Sequence, residues 1–212
     1  MHKSLWLVKP CLKSALVDRK KRLILLKMKT DKHTLFGVFK QNAALPEQVF
    51  QEGWGDFLVF DSDRVFHPSF AKCFAEFSLI GNSTYGTLVN LDQLRNAGDW
   101  NDASRLLESN LGEEKYSEIL KSGGPGNGWI YRMDCFSLIP DNLIWALYIE
   151  RASEIGIVAF PISSRSQVLY DIFSQRLYAR QIKRAFDEQM TYVFTGQGFT
   201  NEWRVELIKN YS

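Results

Sequence analysis

Residues 128–160 read GWIYRMDCFSLIPDNLIWALYIERASEIGIVAF. Three apolar segments stand out in this stretch: GWIYRMD (128–134), LIWALYIER (143–151) and IGIVAF (155–160). Each is rich in aromatic and β-branched residues, which suit a pleated, packed surface. Pro, Asp, Asn, Ser and Glu separate them, and these residues favour turns. The spacing predicts an antiparallel meander. It decides the fold class and carries no active-site signature.

Outside the meander the pattern is mixed. Residues 21–29 (KRLILLKMK) and 34–40 (TLFGVFK) flank a polar Thr30-Asp31-Lys32-His33 turn and predict a basic hairpin. Pro46 and Gly53 bracket a short predicted helix. Residues 56–60 (DFLVF) predict a strand, and Pro68 opens a helix on which Phe70, Cys73, Phe74 and Phe77 recur at helical spacing. YGTLVN (85–90) predicts another strand. Residues 99–112 predict a helix with Asp99 as N-cap, Gly112 as C-cap, and Ala103, Leu106, Leu107 and Leu111 on one face. EEKYSEILK (113–121) predicts a second, its two leading Glu facing the positive helix end. Residues 164–190 predict helix with a break near 174–176, and Thr200 caps a final one. Strands and helices do not alternate as βαβ units. The expectation is α+β, with a central antiparallel sheet and helices packed on it. One domain is expected over 1–212, with a basic region at 1–40 and a helical one at 161–212.

The chain has 212 residues, with 45% hydrophobic and 14% aromatic content. That is ample for a packed core and argues against intrinsic disorder. A net charge of +2 conceals an asymmetry: residues 1–40 hold 11 Lys/Arg against 2 Asp, and residues 41–160 hold 8 Lys/Arg against 17 Asp/Glu. Opposite-sign regions of this kind suit a charged partner. Cys11, Cys73 and Cys135 are widely spaced, with no C-x-x-C pair, and predict a reducing compartment. Lys9, Pro10 and Lys13 interrupt the leading apolar run before it forms a signal core. No stretch approaches the roughly 20 apolar residues of a membrane span. A cytoplasmic location without membrane partners is the expectation.

Candidate chemistry is sparse. Asp61 and Asp63 follow an apolar strand at i and i+2, so both carboxylates point to one side. Such a pair can hold Mg²⁺ or Mn²⁺. FLVFDSD resembles the first motif of haloacid-dehalogenase-type phosphatases and the D-x-D of some glycosyltransferases, which implies metal-dependent phosphoryl or glycosyl transfer. Asp-Ser-Asp after a strand is also common turn chemistry. The GGPGNG run (123–128) lies between a helix and a strand, the reverse of a phosphate loop, and reads as a connector. His2, His33 and His67 have no metal-ligand spacing, and no G-x-S-x-G elbow activates a serine. The basic N-terminus, with Arg19, Lys20, Lys21, Arg22, Lys27, Lys29 and Lys32 beside Trp6, offers a nucleic-acid footprint, although Lys on an edge strand also deters aggregation. No cofactor motif is present. Glu150, Arg151 and Glu154 mark a turn between meander strands; with Asp134 and Asp141 they form a candidate recognition edge for a basic partner.

The GWIY, WALYIER and EIGIV segments (128–131, 145–151 and 154–158) resemble the central sheet of small bacterial immunity proteins of the contact-dependent inhibition type. The resemblance implies a non-enzymatic cytoplasmic inhibitor. Its partner would be a cognate protein toxin, a basic nuclease being one class that the acidic middle of the chain suits. A nucleic-acid partner is the less favoured reading.

Overall fold

The computed structural model describes residues 30–124, 128–132, 134–163, 166–190, 194 and 198–212. The chain divides into Met1–Asp31 and Lys32–Ser212, and the fold belongs to the second unit. Six antiparallel strands make one sheet, ordered β1-β6-β5-β4-β2-β3. They are β1 (Trp54–Asp61), β2 (Tyr85–Asn90), β3 (Ser104–Glu108), β4 (Cys135–Pro140), β5 (Ala146–Glu150) and β6 (Ile155–Pro161). The class is α+β, as expected.

Helices cover both faces. On one side pack α1 (Lys32–Val38), α4 (Leu91–Ala97), α8 (Ile182–Asp187) and α9 (Asn201–Tyr211), with Leu35, Leu91, Ile182 and Tyr211 in the core. On the other pack α2 (Asp63–Phe66), α3 (Phe70–Gly81), α6 (Glu113–Lys121) and α7 (Gln167–Arg176). A single turn, α5 (Trp100–Ala103), leads into β3. β4 is buried at every position because both of its faces carry a helical layer.

The buried aromatic rings are more numerous on the second face, while the first face carries more that are only partly buried. Phe77 stacks on Phe173 at 3.9 Å, and Trp145 meets the Phe173 ring edge-on at 5.3 Å. Each buried ring stabilises the fold by roughly 1.5–3 kcal/mol through lost water contact. Paired geometry adds about 0.5–1.5 kcal/mol. Phe60, on β1, lies over Gly156 of β6, its direct cross-strand partner. A Cβ at Gly156 would overlap the Phe60 ring, so glycine there makes room for the aromatic.

Four expectations need correction. Residues 34–38 belong to helix α1 rather than to a hairpin strand. His33 therefore sits on a helix; the matching segment 21–29 lies outside the described residues. No helix follows Pro46. Instead, Leu45 N–H donates to Glu150, Val49 N–H donates to Tyr211 Oη, and that hydroxyl donates to Glu47 C=O. Tertiary partners satisfy the backbone that a helix would have satisfied internally. The helix expected over 99–112 stops after one turn, and residues 104–108 form β3 against β2. Asp99 caps that turn as expected, accepting from Asn101 N–H at 2.8 Å. Finally, residues 129–132 form a 3₁₀ turn, and the first meander strand begins at Cys135.

The other elements agree with the reading. The strand after residue 53, the helix after Pro68, YGTLVN, and the helices at Glu113–Lys121 and after Thr200 are all present. The C-terminal helical region does break, but at residues 177–181 between α7 and α8, just beyond the predicted 174–176, which lie in the last turn of α7. Thr200 caps α9 by accepting from Trp203 N–H. Among the described residues no helix is long and apolar enough to cross a membrane.

Candidate functional site

The five residues predicted as a recognition edge do not form one surface. β4 runs between them, so Asp134 lies at one end of the sheet and Asp141 at the other. Asp141 closes the α3–β2 connection. Its carboxylate accepts from Ser83 Oγ at 2.6 Å and from Thr84 N–H at 3.2 Å.

Glu150 turns inward. Its Oε2 accepts from Tyr148 Oη at 3.1 Å and Leu45 N–H at 3.2 Å, and Cys135 Sγ lies 3.9 Å away. Burial raises the Glu150 carboxyl above its ordinary range, and the Leu45 and Tyr148 hydrogen bonds only partly oppose this. Burial also pushes the Cys135 thiol up to about 11. Asp92 and Arg95 extend the network: Asp92 accepts from Cys135 N–H at 2.7 Å, and Arg95 donates to Gln41 and Ala43 carbonyls. This cluster ties α4, the 41–45 loop and two strands together, which is a structural role. Arg151 is engaged as well, donating to Ile130 C=O at 2.9 Å with its guanidinium 5.0 Å above the Phe66 ring. Asp134 and Glu154 remain as exposed carboxylates at this end.

Asp61 and Asp63 do share a cleft, of about 320 Å³, with Arg64, His67, Cys73 and Arg176. Most of the polar groups there already have local contacts. Asp61 Oδ1 accepts from Asp63 N–H at 2.9 Å, the expected turn chemistry. His67 Nδ1 accepts from Ser69 N–H at 3.3 Å and lies 2.7 Å from Ser69 Oγ. Arg176 holds Glu76 through two hydrogen bonds, of 2.5 and 2.9 Å, and Arg64 covers the Tyr178 ring at 4.2 Å. Among the described residues, no group of three or more His, Cys, Asp or Glu side chains is placed to hold a metal ion.

The surface that sequence reasoning missed is the outer edge of β3. Exposed Asp99 and Asp102 precede the strand, Glu108 ends it, and exposed Glu114 follows on α6. Leu106, at its centre, is 38% exposed. Arg105 is the basic residue of the strand, and its charge is turned back onto its own element. It donates to the Asp102 and Ser104 carbonyls and lies 5.0 Å over the Trp129 ring. The result is four exposed carboxylates that flank the edge strand along the chain, of which Asp102 lies near enough to Arg105 to act on its charge. Their signal was present in the sequence as the acidic excess of residues 41–160, but the helical reading of 99–112 hid the strand.

The chain matches no protein-family model, no curated protein and no solved structure.

Proposed function

We propose that this chain is a protein-binding inhibitor, of the immunity-protein kind, that neutralises a basic protein toxin by covering its working surface. The observation that carries the reading is the set of exposed carboxylates that flank the edge strand β3 in the chain, Asp99 and Asp102 before it, Glu108 at its end and Glu114 after it. Like-signed groups on a rigid edge repel one another and gain from a cationic partner. They also raise its encounter rate, an effect that salt screens. The cleft at Asp61 gives a catalytic reading less support, because the Asp61 carboxylate, His67 and both arginines already make local contacts.

Affinity purification of the tagged full chain from its own host, at low salt, tests the proposal. A stoichiometric basic protein should be recovered, and adding the chain to that protein should block its activity. Recovery of the chain alone would count against the proposal. A recovered partner whose activity is unchanged would contradict inhibition.

A further inference from the structure

The two edges of the sheet are treated differently. At the β1 edge, Val59 N–H donates to Arg180 C=O at 2.7 Å and Arg180 N–H returns the bond at 2.9 Å. The segment after α7 therefore pairs with that edge at Val59, as an added strand would. At the other edge, β3 pairs with β2 on its inner side, and among the described residues nothing pairs with its outer side.

Register fixes which groups face outward. Ser109 N–H donates to Thr84 C=O in the same antiparallel ladder, so residues 109, 107 and 105 direct their backbone groups to β2. Residues 104, 106 and 108 alternate with them and point away. Ser104 C=O is taken by Arg105, and Glu108 C=O by Leu111 N–H. Ser104 N–H, Leu106 N–H, Leu106 C=O and Glu108 N–H are then the outward groups with no bond among the described residues. They stand at the spacing an added strand uses.

The geometry points to β3 as a strand-addition site for an extended basic segment of a partner protein, laid along residues 104–108. The inference rests on the reading of the chain as a binder of a basic protein, and supplies its mode. Main-chain hydrogen bonds to Leu106 and Glu108 would hold the segment. Leu106 would pack beside one of its apolar side chains, and basic residues on either side would meet Asp99 and Asp102 at one end and Glu108 and Glu114 at the other. Charge complementarity selects this occupant over a second copy of the chain, whose β3 edge would bring the same carboxylates together.

The test uses the full chain at low salt with two synthetic peptides of equal charge, Lys-Val-Lys-Val-Lys-Val-Lys and Lys-Pro-Lys-Pro-Lys-Pro-Lys. Amide exchange is followed by NMR. The valine peptide should slow exchange at Leu106 and Glu108 by about tenfold or more, and the proline peptide, which lacks the alternate N–H donors, should not. Leu106→Pro should abolish the protection while leaving the melting temperature close to native, because the lost N–H faces outward and proline is tolerated at edges. Glu108→Lys, with the backbone intact, should weaken binding of the valine peptide. Binding of both peptides without protection at Leu106 and Glu108 would overturn strand addition, as would binding of neither. Protection that grows with protein concentration and without peptide would overturn the basic occupant in favour of self-association. None of these results alters whether a basic protein co-purifies from the host, so the two readings fail separately.

Discussion

Glu150 illustrates how a charged residue predicted for the surface can serve the interior. Its backbone lies at the end of β5, where sequence alone suggests an exposed turn. Its carboxylate instead accepts hydrogen bonds from Tyr148 and Leu45 inside the core face. Burial raises its folded pKa above the ordinary carboxylate value, so the neutral form is favoured in the fold. The sign follows from linkage. Its contribution to stability is fully present below the unfolded pKa and is lost as pH rises through the folded one. Glu150→Gln keeps an acceptor for Leu45 without the charge. Urea midpoints should therefore favour the variant over the native chain progressively as pH rises through that window. A difference that does not change with pH would contradict the assignment.

At the level of elements, the match between Phe60 and Gly156 locks β1 to β6. Gly156→Ala places a methyl group into the ring and should cost about 1–3 kcal/mol, the usual cost of overpacking. Phe60→Leu in the same chain should recover part of that loss, measured as coupling in a double-mutant cycle of denaturation midpoints.

Three of the sheet's inner strands, β2, β5 and β6, were legible in sequence because apolar runs bounded by turn residues have few other solutions. β3 was not. Ala103, Leu106, Leu107 and Leu111 fit a helical stripe, but the first turn after Asp99 stops at Ala103, and the chain turns back along β2. A partner strand more than ten residues away outweighed a local periodicity, a competition no short window resolves. GWIYRMD failed for the related reason that an apolar, aromatic run also fits a 3₁₀ turn. Trp129 is buried there and its backbone N–H donates to Ser122 C=O.

For the whole molecule, the acidic excess of residues 41–160 was visible in the sequence and its location was not. The predicted edge at Glu150 was dispersed by folding, because Asp134 and Asp141 flank β4 at opposite ends and Glu150 points inward. The metal reading of Asp61 and Asp63 makes a different prediction from the binder reading. With Asp61 committed to Asp63 N–H, millimolar Mg²⁺ or Mn²⁺ should leave the melting temperature unchanged. A rise that disappears in the Asp61→Ala, Asp63→Ala double variant would favour metal-dependent chemistry.

The most direct test of the central claim is a paired capture from host extract. The native chain is compared with a variant in which Asp99, Asp102, Glu108 and Glu114 are all replaced by Lys, after its melting curve shows a folded protein. The account predicts that a basic protein co-purifies in stoichiometric amount with the native chain, is released as salt rises, and is absent from the variant. Capture of the same partner in equal amount by both chains would contradict it.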